Sequence, residues 1–152
     1  MNEKSVPLAE QLAILLSDLA VGAQLAHGYH WNVKGRDFKE FHAFFADLYE
    51  DFDGAIDPVA ENMLKLGFEA PYLLEDFLGM ANIKEERIVG GDIDTMIASL
   101  VRINETLLAD SFAVFEAASM VNEQGIANFA AERIDIHQKW NWQLKATLGL
   151  NC

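Results

Sequence analysis

Leu8, Leu12, Leu15, Leu19, Ala23 and Ala26 recur every three or four residues, and His30 continues the same stripe. That period is helical and fits no strand, whose faces alternate at every second residue. A long helix that is apolar along one side is marginal alone and must bury that side against other helices. Pro7 suits its first turn, where a missing N–H costs nothing, and its end is expected near Val33 with Gly35 just beyond. A second helix is expected from about Asp37 to Leu66, with Phe41, Phe45, Leu48, Phe52, Ile56, Val59 and Met63 on its apolar face. Pro58 lies inside that pattern and is expected to bend the helix or open a backbone bond.

Residues 67–91 lack periodicity and are punctuated by Pro71, Gly79 and the Gly90-Gly91 pair, with room for one short helix from Tyr72 to Met80. The link is too long for a hairpin, but it suits a crossover along a helix of roughly 45 Å at ~1.5 Å per residue. The second and third long helices should therefore run parallel. Asp92 is a good cap for the third, with Met96, Ile97, Leu100, Ile103, Leu107 and Phe115 expected inward and an end around Val121 to Gly125. The fourth carries Ile126, Phe129, Arg133, Trp140 and Leu144 and should stop near Gly149. Met63, Met80 and Met96 read as core filler. Four long helices with one long crossover predict an all-α fold, the ferritin-like variant of the four-helix bundle, as a single domain over residues 1–152.

Eleven basic against twenty-four acidic side chains leave a formal charge of −13. Such a surface repels phosphate backbones and argues against nucleic-acid binding by the folded body. Apolar and aromatic residues make up 51% of the chain, a surplus that points to contacts between subunits. Cys152 is the one cysteine, so no intrachain disulfide is possible. The first residues lack the charged-then-apolar layout of a secretory signal, and Asp18 interrupts the longest apolar run, so no membrane span is expected. The expectation is a soluble, cytoplasmic protein.

Between His30 and Glu61 the sequence concentrates metal-ligand chemistry: His30, His42, Asp57 and Glu61. Imidazole mixed with carboxylate suits iron or zinc, whereas magnesium and calcium take oxygen alone. The Glu-x-x-His pairs of single-bundle di-iron sites are absent: the residues three before His27, His30, His42 and His137 are Gln24, His27, Lys39 and Ile134. Taken singly, His30 reads as a core histidine and Asp57 and Glu61 as solvated positions. His27 and His137 lack patterned partners and read as structural or exposed, and Glu50 and Asp53 as part of the solvated face.

The HWNVKG stretch, followed by Phe38, His42, Asp57, Glu61, Leu66-Gly67 and Pro71, resembles the Dps family of miniferritins. NIKE at residues 82–85 and HQKWNWQLKA at residues 137–146 extend the resemblance over nearly the whole chain. It implies a homododecameric shell that oxidises ferrous iron, usually with hydrogen peroxide, and stores a ferric mineral inside. It also implies a ferroxidase site between two subunits, with His30 and His42 from one and Asp57 and Glu61 from its mate. Glu61 would bridge two iron positions, the better-formed one completed by His30 and Asp57. Trp31 is expected near the dimer contact.

Several positions depart from the family pattern. Ala46 stands where the family usually has an acid, and Asp47 is turned ~100° away in a regular helix. Glu50 would reach the second iron position only through water. Asn62 replaces an arginine. Asn128 stands where an acid often lines the three-fold pore, leaving Glu132 and Asp135 to keep that route negative. No lysine-rich tail for DNA is expected. The resemblance therefore leaves two readings, an iron-oxidising store and a structural shell that binds metal but turns over poorly.

Overall fold

The computed structural model describes residues 2–150; Cys152 lies outside them. A 3-10 turn at Glu3–Ser5 leads into α1 (Val6–Asn32), followed by α2 (Phe38–Lys65), the short α3 (Leu74–Met80), α4 (Ile93–Met120) and α5 (Gln124–Thr147). The described residues contain no strand. The expected elements are all present, with ends within a few residues of those read from periodicity.

Side-chain pairings fix the topology. His30 meets His42 and His27 meets Tyr49, so α1 and α2 are antiparallel. Tyr29 bonds Ser99, while a Cβ on Gly22 would touch Ile103 and Leu107, so α4 also runs against α1. It follows that α2 and α4 are parallel, as the crossover requires. Phe44 packs on Trp140 and Asp51 pairs with Arg133, which sets α5 antiparallel to α2 and closes the four-membered bundle.

Leu12, Leu15, Leu19, Phe45, Leu48, Phe52, Ile97, Leu100 and Leu107 form the fully buried centre. Each such side chain contributes about 1.5–3 kcal/mol on burial, and Leu12→Ala would cost ~2–5 kcal/mol through the cavity it leaves. Asp92 caps α4 by accepting the Thr95 N–H at 2.9 Å. At the end of α2, Gly67 adopts φ 86° and Phe68 N–H donates to the Met63 carbonyl, a left-handed C-cap that glycine adopts without strain.

Three expectations need correction. Phe115 is 37% exposed, and the inward face of α4 continues instead through Asp110, Ser111, Val114 and Ala118. The stripe drifts because 3.6 residues per turn carry position 115 round the helix from Leu107. Met80 is 41% exposed, because α3 ends there on the outer side of the crossover. Pro58 behaves as the second of its two expected outcomes: α2 continues through it with one backbone bond open, at the carbonyl of exposed Gly54, where solvent can satisfy it. Asp18 does not break the apolar run: the helical stretch Glu3–Asn32 is long and apolar enough to cross a membrane by composition, and 61% of its apolar window is buried inside the bundle.

Candidate metal centre

The end of α1 and the start of α2 are joined by a five-residue reversal, residues 33–37, which brings His30 against His42. The two imidazoles stack with centroids 3.8 Å apart and planes 11° from parallel. His30 Nδ1 contacts the His42 carbonyl at 2.5 Å, and His42 Nδ1 contacts the His30 carbonyl at 2.7 Å. A carbonyl only accepts, so each Nδ1 must carry the proton, which leaves each Nε2 with its lone pair free. Fixing the tautomer in this way from the far nitrogen is how metal-binding histidines are commonly oriented. Both rings are half-buried.

An aromatic wall flanks the pair. His27 stacks on Tyr49 at 3.9 Å and meets Trp31 at a tilt of 46° with centroids 4.1 Å apart, with its ring 6.1 Å from His30, while Phe38 covers His42 at 4.9 Å. Trp31 remains 57% exposed and Phe38 40% exposed, an apolar rim around two nitrogen donors. His27 was readable as one turn before His30, but spacing alone gave it no partner; Tyr49 supplies one from α2. A backbone strap from the start of α4 secures the reversal, with Lys34 N–H donating to the Gly91 carbonyl at 3.0 Å.

Asp57 and Glu61 lie one turn apart on α2, both exposed. Fifteen residues separate His42 from Asp57 along this one helix, about 22 Å at 1.5 Å per residue. The chain thus brings the histidines together and the carboxylates together, but not one pair to the other. Among the described residues no group of three or more His, Cys, Asp or Glu converges on a point. Glu61 borders a hollow of about 280 Å³ with Pro58, Lys65 and Glu123. Ala46 is half-buried and Asp47 exposed in helix that continues regularly past both, so Asp47 does not take the place of an acid at position 46. Asp53 and Glu50 are exposed, as expected.

Behind the site, α2, α4 and α5 are tied by a buried polar network. Arg133 donates to both carboxylate oxygens of Asp51, at 3.0 and 2.9 Å, and to His137 Nε2 at 3.0 Å. His137 Nδ1–H donates to Asn104 Oδ1 at 2.8 Å, and Trp140 Nε1–H donates to Asp51 at 2.9 Å. Burial, reinforced by the neighbouring guanidinium, pushes the His137 pKa down to about 3, so its ring is neutral. Burial alone would raise Asp51, but the bonds from Arg133 and Trp140 outweigh it and hold the carboxyl below its ordinary value. His137 is thus structural, one of the two outcomes expected for it.

Comparison with known proteins agrees with this architecture. A ferritin-like domain family model matches residues 9–151. Antigen TpF1 of Treponema pallidum is 31% identical over 93% of this chain and 80% of its own. The DNA protection during starvation protein of Porphyromonas gingivalis is 28% identical over 95% of this chain and 91% of its own. The crystal structure of a Dps protein from Vibrio cholerae O1, a member of a broad superfamily of ferritin-like diiron-carboxylate proteins, superposes with a TM-score of 0.91 at 31% identity, covering 95% of this chain and 91% of that one. The chain belongs to the ferritin-like family and, within it, to the Dps miniferritins.

Proposed function

We propose that the protein oxidises ferrous iron with hydrogen peroxide at a site shared by two subunits and stores the ferric product inside a cytoplasmic homododecameric shell. The observation that carries this reading is the reciprocally locked His30–His42 pair, whose Nε2 atoms are left free while no carboxylate among the described residues joins the two rings to complete a metal site. A two-fold axis would supply what is missing, since an isologous contact returns the same patch from each partner. His30 and His42 of one subunit would then meet Asp57 and Glu61 of its mate, with Glu61 shared between two iron positions. The exposed Trp31 and Phe38 beside the pair, and Tyr72, Leu74 and Leu78 on the crossover, are the kind of apolar surface that such contacts cover.

Iron is the substrate. Two Fe²⁺ each give one electron to one hydrogen peroxide; its O–O bond breaks, and with two protons its oxygens leave as two waters. Imidazole holds Fe²⁺ without over-stabilising it, and the carboxylates favour the Fe³⁺ formed. The relatives named for DNA protection guide the protective role. At −13 this chain protects through peroxide and iron consumption rather than by coating DNA.

A second reading, a shell that binds metal but turns over poorly, draws on Ala46, which removes an anionic ligand from the second position. Metal-free protein assayed for iron oxidation with and without peroxide separates the two. Co-assembly tests the shared site. Shells made from equal parts of His30→Ala and Asp57→Ala chains contain mixed two-fold pairs with one intact site each, so about a quarter of wild-type activity should return. No recovery in mixed shells that assemble normally would defeat the intersubunit site. A monomer or dimer by light scattering at micromolar concentration would defeat the shell.

A further inference from the structure

We propose that Asp18 of α1 and Asp110 of α4 share a single proton inside the bundle, and that this proton clips the middle of the crossover onto the two helices. Asp18 is fully buried and Asp110 is 6% exposed, and the register that seats Gly22 of α1 against Ile103 and Leu107 of α4 brings the two acids to the same level of the helix pair. Asp18 Oδ1 accepts the Ile83 N–H at 2.8 Å, and Asn82, the preceding residue, lies beside Asp110. The crossover is therefore held to the pair through the Ile83 amide, with Asn82 next to it.

The remaining oxygen of each acid, Oδ2 in both, is buried with no protein donor. Two ionised carboxylates in contact would leave both atoms unsatisfied and repelling. One proton between them satisfies both. Burial, then the bond and charge of Asp18, raise Asp110 to about 9, which keeps the proton in place at neutral pH.

No cation relieves the pair. The crossover presents Asn82, Lys84, Glu85 and Glu86, and α4 presents Arg102; all five are exposed along an adjoining cleft of about 410 Å³, where Arg102 is paired with Glu86. From α1, Tyr29 is engaged by Ser99. Glu75 and Asp76 of α3 make no bond to the pair, and Asp51, Arg133 and His137 are engaged in their own network. The cleft gives water a route to the pair once residues 82–83 lift.

The sign of the pH dependence follows. A carboxyl raised on folding stabilises the fold fully below its ordinary pKa, and that contribution is lost as pH rises through the folded value. Alkaline pH should therefore release the crossover first. Infrared titration of the assembled wild-type protein tests the proton directly, because a protonated buried carboxyl has a C=O stretch apart from the carboxylate bands. One such band per chain is expected at neutral pH, disappearing as pH rises past about 9 and missing in Asp110→Asn. Hydrogen exchange tests the clip. After correction for intrinsic rates, the Ile83 amide should open about tenfold or more between neutral pH and about pH 10 in the wild type. It should barely change in Asp110→Asn, whose amide donates to Asp18 as the acid does. Absence of the band in wild type at neutral pH, or equal alkaline opening in wild type and Asp110→Asn, would overturn the proposal. If the variant does not fold, the wild-type band still decides.

Discussion

Replacing Arg133 by methionine isolates the polar network behind the metal-centre helix. The methionine keeps much of the aliphatic stem, so the change removes charge and hydrogen bonds more than volume. Two bonds to Asp51 and one to His137 Nε2 are lost, leaving Asp51 with Trp140 as its remaining donor. Breaking one side of a buried ion pair costs ~3–5 kcal/mol. Asp51 retains 21% side-chain exposure, so water can repair part of the loss, and the low end, about 3 kcal/mol, is expected. For a domain of this size that corresponds to a fall in Tm of roughly 6–12 °C. Thermal and urea unfolding at fixed protein concentration would measure it, since assembly contributes to apparent stability. Asp51→Asn combined with Arg133→Met should cost less than the sum of the single changes by at least ~1.5 kcal/mol. Additive losses, or a single-variant loss under ~1 kcal/mol, would show that the network does not couple the helices as argued.

Three further outcomes are expected. His137, neutral in the fold with a pKa of about 3 against an ordinary 6.5, should cost stability as pH falls from about 6.5 toward 3, because only the unfolded chain takes up that proton; urea midpoints should show this slope in wild type and lose it in His137→Gln. Gly91→Ala should destabilise by ~1–3 kcal/mol, because φ is 71° and the new Cβ would fall 2.9 Å from Lys34 N and against the Asn32 carbonyl; denaturant unfolding measures the loss, and iron oxidation should fall with it as the His30–His42 reversal loosens. Duplex DNA should not be retarded in a gel at about 150 mM salt without divalent metal, and a clear shift there would contradict the charge argument.

The bundle was legible because helical periodicity is a local signal carried by many residues at once. The stripe from Leu8 to Ala26 and the Asp92 cap needed no knowledge of partners. What periodicity missed was long-range polar pairing. Asp18 looked like an interruption of an apolar run, yet it is fully buried, because the acid facing it comes from α4 and its backbone donor from the crossover. Phe115 and Met80 were misplaced for a related reason: an apolar residue near the edge of a stripe is assigned inward unless the neighbour that displaces it is known. His30 and His42 were found by residue type and spacing, but their mutual Nδ1 locking depends on the tight reversal between the helices.

The division of the metal-ligand residues follows from the same helix geometry. Placing His42 near the start of α2, against His30 at the end of α1, and the carboxylates near the end of α2 keeps the two pairs far apart in the one chain, so among the described residues a single chain does not close the proposed site. Closure is thereby tied to assembly, which would confine iron chemistry to complete shells. On the proposed intersubunit site, Ala46 would then limit the two positions unequally: His30, Asp57 and Glu61 would complete one, while the other would keep His42 and a share of Glu61. Because α2 is regular through residues 46 and 47, exposed Asp47 does not compensate. A metal-soaked crystal should therefore show one well-occupied position per subunit and one weak or empty. Ala46→Asp should fill the second and speed peroxide-driven oxidation, and His30→Ala should cost more metal affinity than His42→Ala. Equal occupancy in the wild type, with Asp47 or Glu50 as a direct ligand, would show that α2 reshapes on assembly and that its face in the single chain does not govern the site.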